Sequence, residues 1–149
     1  MTIRFTALHA CCRPAATYRP GLLQRRFLLT LAIETSCDDT AVAVLETQTL
    51  ANNTTGAVLH FHKKITSNNT AYHGVHPLAS LYSHQENLAG LVDEAIQNLP
   101  PKCLPDFVSV TRGPGMRSNL FTGLDTAKGL AAAWQVRYTL YRLLPWLTS

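Results

Sequence analysis

The chain of 149 residues is long enough for one domain with a real core and too short for two generous ones. With 46% apolar and 15% charged residues, wholesale disorder is excluded, and no apolar run approaches the ~18 residues of a membrane span. The net charge of +4 is unevenly placed: residues 1–33 hold Arg4, Arg13, Arg19, Arg25 and Arg26 with no Asp or Glu, while the other 116 carry eight Lys or Arg against nine Asp or Glu.

Residues 1–26 are Arg-rich, free of acids and without the central apolar block of a secretory signal. That is the composition of a mitochondrial transit peptide, shared by an ordinary basic tail, and it places the expected localisation in the mitochondrial matrix, with cleavage after Arg25-Arg26. Cys11 and Cys12 fall in this segment. The remaining Cys37 and Cys103 are spaced neither as a metal knuckle nor as a disulfide framework, which a reducing compartment permits.

The apolar run Phe27–Glu34 suits a central strand covered on both faces. Residues 41–45 suit its hairpin partner, and 57–65 a third, more exposed strand, with Asn52, Asn53, Thr54, Thr55 and Gly56 supplying the turn. Leu81, Leu88, Leu91, Val92, Ala95, Ile96 and Leu99 recur at helical intervals and predict an amphipathic helix over 81–99. Pro100, Pro101 and Pro105 stop it and lead to a β-branched strand at 107–111. A turn, RGPGMRS, precedes a second helix at 119–134, with Ser118 or Asn119 as its expected N-cap. A strand meander, helix, strand, glycine turn and helix predict an α/β layer architecture.

Two segments carry candidate chemistry. Between the first two strands, Glu34-Thr35-Ser36-Cys37-Asp38-Asp39-Thr40 puts backbone N–H groups and hydroxyls around one concavity that suits an anion, although its carboxylates equally suit a solvated hairpin. In the second, Gly113 and Gly115 flank Pro114 after a strand and before a helix. They permit close approach of a ligand or of another loop, with Arg112 and Arg117 available for an anion. His73-x-x-His76 has no third ligand at motif spacing, and His60 and His62 are expected on one face of a strand. No metal site is assigned to these residues.

Taken together, the segment 34–40 followed by Ala-Val-Ala-Val, then GVHPLAS with His84, then TRGPGM with GLDTAKGLAAAW, resembles the N-terminal part of the TsaD/Gcp family of tRNA threonylcarbamoyladenosine synthases, over about 27–136. The basic N-terminus favours the mitochondrial branch. The resemblance implies the N-terminal lobe of an actin-like ATPase fold of the Hsp70 and sugar-kinase type. It implies transfer of a threonylcarbamoyl group from its adenylate to N6 of the adenosine beside the anticodon in tRNAs that read ANN codons, with a divalent metal, iron or zinc, as the family cofactor. Asp38 and Asp39 match groups on a loop facing the nucleotide and metal cleft, where they act in catalysis by orienting water or the metal's surroundings. Ser36, Cys37, Gly113 and Gly115 match positions bordering the nucleotide, and His76, Pro77 and Ser80 a loop beside the cleft. Lys128, Gly129 and Trp134 follow the family signature, which then breaks at Arg137, where Pro is expected.

The family's metal-binding histidines, glycine-rich acyl-adenylate site and late Asp are absent from this sequence. The expected organisation is a transit peptide at 1–26, a lobe at 27–136 and a divergent tail at 137–149, the abrupt switch reading as a gene-model or splicing event. Such a lobe is expected to be inactive alone, to meet tRNA only with its missing half or as a dimer, and to have no membrane partner. The rival expectation is a non-catalytic fragment that pairs with a full-length homologue, or forms a homodimer, through its two helices. The absence of HExxH leaves a metallopeptidase, the family's older label, without support.

Overall fold

Alternation along the strands decides which side of the sheet is covered. The computed structural model describes residues 27–49, 54–99 and 103–142; the Arg-rich segment 1–26, Asn52 and Asn53, Pro100 and Pro101, and the tail end 143–149 lie outside the described residues. The elements are β1 (Phe27–Glu34), β2 (Asp39–Thr49), β3 (Thr55–Thr66), a single 3-10 turn at Thr70–Tyr72, α1 (Pro77–Gln97), β4 (Phe107–Gly113), α2 (Arg117–Trp134) and β5 (Arg137–Arg142). Leu29, Leu31 and Ile33 of β1, Val42 and Val44 of β2, and Val108 and Val110 of β4 are all buried. Their period-two neighbours Ala32, Ala41, Ala43 and Ser109 line a shallow hollow with His62 and Tyr141 on the opposite face.

The five strands lie in the order β3-β2-β1-β4-β5. β1, β2 and β3 form the antiparallel meander expected from the sequence, with Leu31 opposite Val44 and Ala43 opposite His62. β4 then lies parallel to β1, and β5 parallel to β4. Parallel neighbours need crossover connections, which α1 and α2 supply. α1 packs chiefly on β2 and α2 on β4, and the two helices touch each other. Leu88, Leu91, Val92 and Ala95 of α1 and Ala127 of α2 complete one core on the helix side. Asp106 ties the connection before β4 to the sheet: its Oδ2 accepts the Leu29 N–H at 2.8 Å and its own N–H donates to the Leu29 carbonyl at 2.7 Å.

Four local expectations change. α1 begins at Pro77 rather than at 81, so His76, Pro77 and Ser80 form a helix start instead of a loop. His76 is the N-cap and its Nδ1 accepts the Ala79 N–H at 3.3 Å; proline at the first helical position lacks only an N–H that would have no partner there. α2 begins at Arg117 with Met116 as N-cap, so Ser118 and Asn119 lie in its first turn. Asn119 is displaced from capping because its side chain is buried and used elsewhere. His60 and His62 do not share neighbours: a bulge between Val44 and Leu45 of β2 leaves His60 unregistered, and its Nε2 lies 2.7 Å from Glu46 Oε2. Finally, Arg137–Arg142, which had no assigned element, extends the sheet. Backbone pairing with β4 is enough to order these residues although every one of them is exposed.

Candidate functional site

The connection from β1 to β2 is short, polar and tied residue by residue to β4, α1, α2 and the loop after β3. Glu34, the last residue of β1, accepts the Ser36 N–H on Oε1 at 2.6 Å and the Thr111 hydroxyl of β4 on Oε2. Thr35 is buried and its hydroxyl donates to the Asn119 carbonyl of α2 at 2.8 Å. The Ser36 carbonyl accepts the Met116 N–H at 2.8 Å. The Cys37 carbonyl accepts two donors, Asn119 Nδ2 at 2.7 Å and His84 Nε2 of α1 at 3.0 Å. The Asp38 carbonyl accepts the Ser67 N–H beyond β3 at 2.9 Å. A buried loop leaves its backbone groups in need of partners, and here successive carbonyls find them on separate elements.

His84 is fully buried and its protonation follows from its partners. A carbonyl only accepts, so Nε2 carries the proton; Nδ1 then accepts the Thr40 hydroxyl at 2.7 Å. Burial holds the imidazole below its ordinary pKa, against the opposing pull of the Cys37 carbonyl and the carboxylates of Glu34, Asp38 and Asp39. A neutral ring with one proton satisfies both contacts at once.

Two glycines set how closely the chain segments approach. A Cβ at Gly115 would stand 2.5 Å from the Ser36 carbonyl oxygen, and one at Gly123 would stand 2.5 Å from Thr35 Oγ1. Backbone and hydroxyl occupy the space that any side chain would need. The RGPGM turn and the face of α2 therefore both seat directly on the loop.

Of the residues singled out from the sequence, Ser36, Cys37, Asp38, Asp39 and Gly115 come together. Ser36 is buried; Cys37 is exposed; Asp38 and Asp39 are half-buried. Asp39 is committed to β3, with Lys64 Nζ at 2.7 Å and the Thr66 hydroxyl on its other oxygen, and Lys64 foremost holds its carboxyl below the ordinary range. Partial desolvation, then the hydrogen bond and charge of Asp38, push the Cys37 thiol up, so it stays protonated at neutral pH. Gly113 stands apart from the loop and lines a hollow with Arg112 and Pro114. Glu34 of the singled-out segment and His84 of the family pattern also hold the site, and with them Asn119 and Gly123, which the sequence did not assign to it. A glycine inside a helix was the available signal for Gly123; for Asn119 there was none beyond its position after the turn.

Among the described residues no group of three or more His, Cys, Asp or Glu side chains could hold a metal ion. His73 caps the 3-10 turn with a left-handed backbone, and His76 stacks on Tyr72 at 3.9 Å, so the His73-x-x-His76 pair serves local structure. The family's divalent metal thus has no ligand set in these residues. No described helix is long and apolar enough to cross a membrane.

Comparison with known proteins places this geometry. The family model described as TsaD, tRNA N6-adenosine threonylcarbamoyltransferase, matches residues 59–139. The chain is similar to the mitochondrial tRNA N6-adenosine threonylcarbamoyltransferase of Schizosaccharomyces pombe, at 43% identity over 117 residues that cover 76% of this chain and 28% of that protein. It is also similar to the tRNA N6-adenosine threonylcarbamoyltransferase of Kosmotoga olearia, at 38% identity over 102 residues, 68% of this chain and 29% of that one. In three dimensions it is similar to YeaZ from Pseudomonas aeruginosa, with a TM-score of 0.50 and 18% identity, over 77% of this chain and 44% of that one. That likeness concerns the fold alone, the α/β arrangement described above. The chain spans about three tenths of the length of the curated relatives it matches. The match over more than half of its residues, in the region that builds α1, the RGPGM turn and α2, shows that the chain belongs to the TsaD family of tRNA N6-adenosine threonylcarbamoyltransferases.

Proposed function

We propose that this chain supplies the N-terminal lobe of a mitochondrial enzyme that transfers threonylcarbamoyl from its adenylate to N6 of the adenosine beside the anticodon in ANN-decoding tRNAs. The observation that carries the reading is convergence. Segments far apart in sequence, Glu34 to Thr40, His84, Gly115, Asn119 and Gly123, meet at one loop at the carboxyl end of β1, the end of a parallel sheet at which open α/β folds bind ligands. Mitochondrial placement is supported by the basic, acid-free N-terminal segment and by the name of the fission yeast relative.

In the reaction, the N6 amine attacks the carbamoyl carbon, the new C–N bond forms, the carbon–oxygen bond to the phosphate breaks, and adenosine monophosphate leaves while N6 gives up a proton. Within this lobe, Asp38, whose carboxylate is engaged by the neighbouring Cys37 thiol alone of the loop's side chains, orients the amine and receives that proton, whereas Asp39 is held by Lys64 and Thr66 and Glu34 by Ser36 and Thr111. Ser36, Gly113 and Gly115 shape the border of the nucleotide site. The described residues offer no ligand set for a metal.

The test is a chimera in which residues 27–136 replace the corresponding part of the fission yeast relative. The chimera is expected to form threonylcarbamoyladenosine in tRNA, the 149-residue chain alone to form none, and Asp38→Asn in the chimera to lower the rate about 100-fold. Full activity of the Asp38→Asn chimera would remove Asp38 from the chemistry, and an inactive but folded chimera would remove the lobe assignment. A second reading, pairing with another copy or with a full-length homologue, is favoured by the exposed Leu78 and Tyr82 of α1 and Phe121 of α2; sedimentation with and without Tyr82→Glu separates it from a monomeric lobe.

A further inference from the structure

Among the described residues the three lysines are each paired with a carboxylate, while the four arginines, Arg112, Arg117, Arg137 and Arg142, are exposed and make no ion pair, and three of these stand at one corner. Lys63 pairs with Glu94 at 2.7 Å, Lys64 with Asp39 at 2.7 Å and Lys128 with Asp125 at 3.5 Å. Arg112 and Arg117 are neighbours across the RGPGM turn. Arg142 lies 25 residues beyond Arg117 and arrives there because β5 pairs with β4, with Arg142 opposite Gly113.

The three arginines line two adjoining hollows that share Arg112. One, of about 370 Å³, lies between Arg112, Gly113, Pro114, Leu140 and Arg142. The other, of about 290 Å³, runs from Thr111 and Arg112 past Gly115 to Arg117 and Phe121. Neither contains an acidic side chain. The carboxylate bonded to that lining is Glu34, through the Thr111 hydroxyl, and its oxygens also serve Ser36. Arg117 stands over the half-exposed Phe121 ring at 5.5 Å, which holds the guanidinium beside the hollow. Three like charges without local counter-charge repel one another, and planar guanidinium forks match phosphate oxygens.

We propose that Arg112, Arg117 and Arg142 form a binding track for RNA backbone phosphates along the β4–α2 corner of the lobe. The phosphate chemistry rests on the cluster itself. Two linked, open hollows suit successive phosphodiesters better than one compact nucleotide, and the choice of RNA over other phosphates rests on the transferase reading. Arg112 and Arg117 lie within the residues that match the family model, and Arg142 lies beyond them.

The experiment is fluorescence anisotropy of a labelled single-stranded RNA 12-mer with the full 149-residue chain, titrated at several salt concentrations, with pyrophosphate as competitor. Binding is expected to weaken with salt, the N-terminal arginines adding a constant background to the log–log slope, and each of Arg112→Ala, Arg117→Ala and Arg142→Ala is expected to lower the magnitude of that slope by about 0.7. The paired Lys128→Ala is expected to leave it unchanged. All four side chains are exposed, so matched circular dichroism melts will show that the variants fold. An unchanged slope in Arg117→Ala and Arg142→Ala, absence of RNA binding by the folded chain, or tight pyrophosphate binding that RNA cannot displace would each overturn the proposal. Asp38→Asn is expected to keep RNA binding, so loss of transfer in the chimera and loss of this track are separate results.

Discussion

At the scale of the residue, His84 is the keystone of the β1–β2 loop, because a single neutral imidazole joins α1 to the Cys37 carbonyl and to Thr40. Its folded pKa lies below the ordinary 6.5. The unfolded chain therefore binds the extra proton more readily, and the contribution to stability is complete above pH ~6.5 and is lost as pH falls below that value. The melting temperature of the chain is expected to drop between pH 7.5 and 5.5, and Thr40→Val, which leaves Nδ1 without its donor, to cost about 1–3 kcal/mol at neutral pH. A pH-independent melting temperature over that range would show that His84 is not held neutral. Glycine contacts give a second residue-scale test. Gly115→Ala and Gly123→Ala each force an atom to 2.5 Å from the loop, and each is expected to destabilise by about 1–3 kcal/mol in denaturant titrations, whereas Gly129→Ala, with open space around it, is expected to be neutral or mildly stabilising.

At the scale of the element, stability is unevenly shared. α1 drives the core through Leu88, Leu91 and Val92, and Leu91→Ala is expected to cost about 2–5 kcal/mol by leaving a cavity against β2. β5 pairs only with β4 and its six residues are all exposed. Hydrogen exchange is therefore expected to be fast at Arg137–Arg142 and slow in β1 and β4, which lie between neighbours on both sides. Equal protection of β5 and β1 would mean that the edge strand is covered in solution.

At the scale of the molecule, helices cover one face of the sheet, and small residues line the hollow on the other. Ala32, Ala41, Ala43 and Ser109 border it with Tyr141, and Leu59 of β3, opposite Leu45, is 60% exposed. An apolar face of this kind promotes association. Sedimentation velocity is expected to show concentration-dependent association, relieved by the pair Leu59→Lys and Tyr141→Lys; a monomer at all concentrations would show that this face is tolerated bare.

Local pattern by itself determined the meander, both helices and β4, because period-two and period-3.6 burial is written in neighbouring residues such as Leu29, Leu31 and Ile33 or Leu88, Leu91 and Val92. It also determined the family, through four ordered blocks whose residue types are unusual together. Only the tertiary structure decided how those blocks meet. Asn119 reads as a cap from its neighbours, yet it spends its amide on the Cys37 carbonyl 82 residues away. Arg142 reads as part of an unrelated tail, yet pairing of β5 with β4 brings it beside Gly113. Hydrogen-bond partners and charge neighbours are set by which strands and helices meet, and that information is carried by long-range packing rather than by any stretch of the chain.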